Sequence, residues 1–185
     1  MTQLSAPALR AAASIRAATE DAPLQYLTFS LRGEMFAVGI LHVKEIIEYG
    51  NLTEIPMMPA FIRGVINLRG AVVPVIDLAA RFEGRRSEIG RRTCIVIVEV
   101  RDGEFTHDIG IMVDAVSEVL EIPASEIEPP PAFGAKIRTD FILGMGKVAG
   151  KFVIVLNIDR VLSVDEIAAL ASVTSAAEDG MHRTN

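Results

Sequence analysis

Residues 61–78 read FIRGVINLRGAVVPVIDL, and residues 141–158 read FILGMGKVAGKFVIVLNI. Aligned at a constant offset of 80 without a gap, they agree at six of eighteen positions: Phe61/Phe141, Ile62/Ile142, Gly64/Gly144, Gly70/Gly150, Val73/Val153 and Val75/Val155. Each stretch is an apolar run, an X-Gly pair and a second apolar run. Because glycine tolerates the positive φ of a tight turn, each predicts a β-hairpin, one about Arg69-Gly70 and one about Ala149-Gly150. Asp77 and Asn157 end the second strands at matching positions and precede short helical patterns, so both are expected as helix N-caps. Pro74 has no N–H to donate, which predicts an edge strand or a bulge.

A second pair of hairpins lies outward of the first. QYLTFSL and EMFAVGI flank Arg32-Gly33, and TCIVIVEV and EFTHDIGIMV flank Asp102-Gly103. These are offset by 70, so the second copy has gained about ten residues, which IPASEIEPPPAFGAKIRTD accommodates. Pro129, Pro130 and Pro131 predict a stiff connection without strands there. Each copy supplies about five short strands and one helical turn. Short strands joined by tight turns predict small barrels. The chain is therefore expected to be mainly β, with two intertwined barrel subdomains over about 23–85 and 90–162, short helices and a C-terminal helix over 164–173. Ser163 and Glu166 fit a capping box for that helix, and IAALASV is its apolar stripe. Residues 1–22 read as an Ala-rich arm outside the core, and 174–185 as a frayed tail.

Composition narrows the function. Half of the 185 residues are apolar and the mean hydropathy is +0.37, yet the longest apolar runs, VVPVI and CIVIV, are strand-sized. The first residues contain arginines and no apolar h-region, so no secretory signal is expected. A lone Cys94 forbids an internal disulfide, fits the cytoplasm, and in its apolar run is expected to be buried and inert. A net charge of −6, no Trp and only ten Phe and Tyr argue against nucleic acid.

Motifs for chemistry fail on spacing. A phosphate loop in GMGKVAGK would need Gly at 145 and Ser or Thr at 152, where Met145 and Phe152 stand. His42, His107 and His182 are too dispersed for a metal site. Acid pairs such as Glu45 and Glu48, or Asp108 and Asp114, carry no weight without geometry. No enzyme activity, metal or cofactor is expected. What stands out is asymmetry: one hairpin tip reads Asn67-Leu68-Arg69-Gly70 and the other Lys147-Val148-Ala149-Gly150. Only the first offers a guanidinium, and Leu68 beside it points to a partner-binding surface.

ILHVKEI (40–46), PAFIRGVINLRGAVVPVIDL (59–78), GIMVDAVSEVLEI (110–122) and FILGMGKV with VLNIDRVL resemble the CheW family of bacterial chemotaxis coupling proteins, in order over about residues 24–173. The resemblance implies two five-stranded SH3-like barrels and a stand-alone, non-enzymatic, cytoplasmic adaptor recruited to receptor arrays without membrane insertion. Its implied partners are the cytoplasmic tip of chemoreceptors and the regulatory domain of the histidine kinase CheA. By position, the implied receptor groove is Ile40, Val43, Glu45, Ile46, Asn67, Leu68 and Arg69, with Val116 and Val119 opposite. The implied kinase contacts are Ile62, Gly64 and Gly70. Glu45 is expected to pair with Arg69 and hold the tip. Two other readings remain: a paralogue serving another receptor–kinase pathway, and a small β-barrel enzyme or ligand-binding module, which would show a deep pocket of convergent titratable groups.

Overall fold

The computed structural model describes residues 24–130, 137–163, 165, 167 and 168. The expected arm (1–22), the tail (174–185), Glu166 of the capping box and most of the helix 164–173 lie outside these residues. In chain order the described strands are β1 (Leu24–Leu31), β2 (Glu34–Gly39), β3 (Val43–Glu48), β4 (Ile62–Leu68), β5 (Ala71–Asp77), β6 (Cys94–Asp102), β7 (Phe105–Val113), β8 (Ala115–Ile122), β9 (Ile127–Glu128), β10 (Ile142–Val148) and β11 (Lys151–Leu156). Helix α1 (Leu78–Glu83) follows β5, and α2 (Ile158–Val161) follows β11.

The strands form two curled sheets, β8-β1-β2-β11-β10-β9 and β3-β6-β7-β5-β4. Each draws on both copies: the hairpin β1–β2 joins β8–β11, and the hairpin β6–β7 joins β3–β5. The ranges 23–85 and 90–162 therefore mark copies of the sequence, and each sheet crosses that boundary. The first sheet gains a sixth member, the two-residue β9 paired with β10 at Met145 and Gly146. The inserted stretch is thus not strand-free, as its prolines suggested. The first copy has the counterpart as a single bridge, Thr53 to Val65.

Each sheet encloses a small core of its own, Ile66, Val73, Val75, Ile95, Ile97 and Met112 in one and Tyr26, Ala37, Ile122, Val153 and Val155 in the other. The largest cluster lies between the sheets and includes Leu27, Phe29, Val38, Ile62, Ile76, Val96, Val98, Ile142 and Leu156. Period-two alternation divides β6 between them: Ile95 and Ile97 face the barrel interior, while Val96 and Val98 face the other sheet.

All six repeated residues have a structural cause. Val73/Val153 and Val75/Val155 fill the barrel interiors, and Ile62/Ile142 fill the layer between. Gly70 and Gly150 take φ of 87° and 80° behind Arg69 and Ala149 at 52° and 50°, the two left-handed residues of a type I′ hairpin turn. A Cβ on Gly64 would lie 2.2 Å from the Thr53 carbonyl oxygen, and one on Gly144 would lie 2.8 Å from that of Glu128. Both glycines admit the crossing strand. The Phe61 and Phe141 carbonyls accept from the Asp77 and Asn157 N–H groups at 2.7 and 2.8 Å.

The two phenylalanines also meet across the copies. The Arg81 guanidinium lies 5.2 Å from the Phe61 ring and 4.9 Å from the Phe141 ring, and its Nε donates to the Val161 carbonyl at 3.2 Å. Cation–π contacts between partly buried groups contribute about 1 kcal/mol each. Arg81→Ala is expected to lower stability by about 2 kcal/mol, read as a reduced urea midpoint with an unchanged slope. Arg81→Lys, which keeps the charge but loses the planar fork, should recover less than half.

Four local expectations change. Strand β5 lies inside its sheet between β4 and β7; its ladder to β7 begins at Val75, so the missing N–H of Pro74 falls just before it. The turn after β6 is Gly103-Glu104, with Asp102 still paired to Phe105, because only Gly103 takes positive φ there. Asn157 precedes α2 without a side-chain capping bond. Cys94 is half-buried, its thiol donating to the Arg92 carbonyl at 3.0 Å.

Candidate protein-docking seam

Strands β3 and β8 are edge strands of the two sheets, and both carry apolar side chains toward the layer between them. Residues paired across an antiparallel ladder share a face. Val43 pairs with Val98 and Ile46 with Val96, while Val116 pairs with Phe29 and Val119 with Leu27. All four partners belong to the central cluster. The side chains of Val43 and Val116, with Ile40 in the short turn Ile40–His42 joining the sheets, pack half-buried against that cluster. Ile46 and Val119 stand 45 % and 48 % exposed on the same faces. The central apolar layer thus continues to the surface as a seam with one wall on β3 and one on β8. A register shift between Val43 and Glu45 turns Glu45 toward the barrel side, opposite Ile97.

The tip of the β4–β5 hairpin reaches that strand. Arg69 Nη2 donates to Glu45 Oε2 at 2.8 Å, so the anticipated pair forms and bridges the two edges, β3 and β4, of the five-stranded sheet. Arg69 is 79 % exposed, which makes this a surface pair worth about 0–1 kcal/mol in stability. Asn67 Oδ1 accepts from the Gly70 N–H at 2.9 Å and rigidifies the turn. Leu68, expected on the partner surface, instead packs half-buried against the barrel interior. Of the three kinase candidates, Gly70 is exposed at the tip, Ile62 lines a cleft, and Gly64 is buried beneath Thr53.

That cleft, of about 600 Å³, lies against β4 and β5 and is lined by Ile55, Met58, Ile62, Val72, Pro74 and Ile109 among others. Val72 is 72 % exposed. Lys44 stands on its border beside Asp108; the hydrogen bond its ammonium donates to the Asp108 carboxylate raises its pKa above the usual lysine value, and Glu99 adds to it. The sequence reading named no cleft here; Ala71 and Val72 stand exposed at the start of β5. It also missed Leu41, 94 % exposed on the turn between the sheets. A bulky apolar residue directly after Ile40, in a three-residue turn, was the available signal. Among the described residues, no group of three or more metal-binding side chains converges, and no helix is long and apolar enough to cross a membrane.

The chain is similar to known proteins in sequence and fold. The family model described as a CheW-like domain matches residues 25–166. The chemotaxis protein CheW of Klebsiella aerogenes is 33 % identical over 86 % of this chain and 93 % of its own length, and that of Treponema pallidum 31 % identical over 84 % and 91 %. The crystal structure of scaffolding protein TtCheW from Thermoanaerobacter tengcongensis superposes with a TM-score of 0.68 at 37 % identity, covering 75 % of this chain and 87 % of that one. In sequence, in barrel architecture and in the extent of the match, this chain belongs to the CheW family.

Proposed function

We propose that the chain is a non-enzymatic coupling adaptor that holds the cytoplasmic tips of chemoreceptors against the regulatory domain of the histidine kinase CheA, in the cytoplasm beneath the receptor arrays. The observation that carries this reading is the seam. Two edge strands bring Val43, Ile46, Val116 and Val119 onto facing surfaces, continuous with the core and half open to solvent. Such a slot suits the apolar stripe of an amphipathic helix, here that of a receptor tip. Leu41 and Ile40 close one end, and Arg69, positioned by Glu45, offers directional hydrogen bonds to the helix. The kinase contact lies along the cleft against β4–β5, at Gly70 and the exposed Val72, with buried Ile62 lining the cleft beneath them. Gly64 serves it only by shaping β4.

The test is kinase stimulation in receptor-bearing membranes with CheA. Addition of this protein should raise phosphate incorporation severalfold, and no stimulation with any cognate pair would reject the reading. Ile46→Asp and Val119→Asp should each weaken co-sedimentation with receptor membranes about tenfold or more, since each desolvates a charge in the slot. Glu45→Ala and Arg69→Ala should weaken it comparably while shifting unfolding by less than about 1 kcal/mol. Unchanged co-sedimentation for all four variants would place the receptor elsewhere.

A further inference from the structure

We propose that the loop between α1 and β6 presents a basic ledge that takes an acidic polypeptide segment of a protein partner. Residues 85–92, RRSEIGRR, hold four arginines against one glutamate in a chain whose net charge is −6. Arg85, Arg86, Arg91 and Arg92 are all exposed. Arg86 stands 3.9 Å from Glu54, beyond hydrogen-bond range. Among the described residues, the side chains of Arg85, Arg91 and Arg92 form no ion pair. These charges do nothing evident for the fold.

The loop that carries them is nevertheless firmly held. Asp77, fully buried, accepts from the Ser87 N–H and hydroxyl at 2.7 Å each. Buried Arg63 donates to the Ser87 carbonyl and, at 3.3 Å, to Asp77. Arg32 donates to the Arg85 carbonyl at 2.6 Å, and Gly90 and Thr93 exchange bonds at 2.8 and 3.3 Å. The second copy has Leu143 and Asn157 where the first has Arg63 and Asp77, so the clamp belongs to one copy only. Both arms of the loop border a cleft of about 530 Å³ whose lining includes Arg85, Arg86, Glu88, Thr93 and Asp114.

That lining selects the ligand. A small anion enclosed in the cleft would face Glu88 and Asp114. An acidic helix or strand laid along the rim meets exposed guanidinium groups instead, each able to take a carboxylate through two N–H donors. Exposed pairs are individually weak, so such a ledge acts through association rate and salt dependence. That the partner belongs to a receptor–kinase assembly rests on the coupling reading; the ledge does not.

Two measurements separate the two. In the first, a fluorescein-labelled glutamate-rich peptide is titrated with the full chain at about 50 and about 300 mM NaCl. Binding is expected at the lower salt, weakened about tenfold at the higher. It should be weakened about tenfold or more at the lower salt in a variant carrying Arg85→Ser, Arg86→Ser, Arg91→Ser and Arg92→Ser, with an unchanged melting temperature. No binding at low salt, equal binding by the variant, or tighter binding of a duplex DNA probe overturns the ledge. In the second, both proteins are co-sedimented with receptor membranes and CheA. A wild-type chain that binds peptide but not membranes defeats the coupling reading and leaves the ledge standing. A variant that matches the wild type in membrane affinity and salt slope overturns the ledge's place in that assembly, and the peptide titration alone decides the ledge itself.

Discussion

Gly64→Ala is expected to be among the most damaging single-methyl substitutions in this chain, lowering stability by about 3 kcal/mol and the melting temperature by about 6–12 °C. The added Cβ would sit 2.2 Å from the Thr53 carbonyl oxygen, 2.8 Å from Leu52 Cδ2 and 2.9 Å from the Thr53 carbonyl carbon. Two of these are backbone atoms that cannot swing aside, because Thr53 and Val65 exchange N–H···O bonds of 2.9 Å in both directions. Gly64 also takes φ of +151°, which costs a side chain further strain. The repeat supplies internal controls. At Gly144 the backbone obstacle is looser, the Glu128 carbonyl oxygen at 2.8 Å, and the nearest atom, Ile127 Cγ2 at 2.3 Å, belongs to a side chain, so Gly144→Ala should cost less. A Cβ on Gly70 would meet no atom within 4 Å, so Gly70→Ala should lose only about 1–2 kcal/mol to the left-handed φ. Thermal and urea unfolding of the three variants check the order. A Gly64→Ala variant no less stable than Gly70→Ala would show that the crossing segment does not press on β4.

Asp77→Ala should cost about 4 kcal/mol, because it strands a buried guanidinium. Asp77 has no solvent exposure and accepts four bonds: from the Ala80 N–H at 3.1 Å, capping α1; from the Ser87 N–H and hydroxyl; and from Arg63 Nε. Its loss removes a helix cap and the loop anchor together and leaves Arg63, itself buried, without its counter-ion. The second copy suggests the compensating change. Arg63→Leu with Asp77→Asn imports the Leu143 and Asn157 combination, and removing both charges avoids the stranded one. The double variant should therefore be more stable than the sum of its single variants by at least about 1 kcal/mol. Additive losses in urea titrations would mean the two charges act independently. Because the same clamp presents Arg85 to Arg92, the double variant should also weaken capture of the glutamate-rich peptide while keeping all four arginines.

Much of this was legible in one dimension. The repeat at offset 80 disclosed two related halves, and strand-length apolar runs with X-Gly turns disclosed a mainly β chain, because hairpin turns and period-two alternation are local properties. The Arg69 tip followed from the asymmetry of the repeat, and its pairing with Glu45 from opposite charges in two motifs of the family resemblance. The sheet composition did not follow. Which hairpin pairs with which is settled by burial between segments far apart in the chain, and a repeat pattern is the same whether its hairpins stay with their own copy or cross over. Pro74 illustrates the limit: a missing donor forbids a ladder bond at one residue, not a neighbouring strand.

The elements, the turns and the pairs of repeated residues are written in the chain itself, since they answer to the chirality, donors and bulk of each residue and its near neighbours. Which apolar residues remain half open is not. Val43, Val96 and Val116 are chemically alike, yet Val96 is sealed on an inner strand while the other two border a seam on edge strands. The same holds for the acids: Asp77 is a buried anchor and Glu45 a surface partner because of what the opposite sheet, loop or hairpin brings against them. Exposure is set by long-range packing, and a site on this protein is defined by exposure.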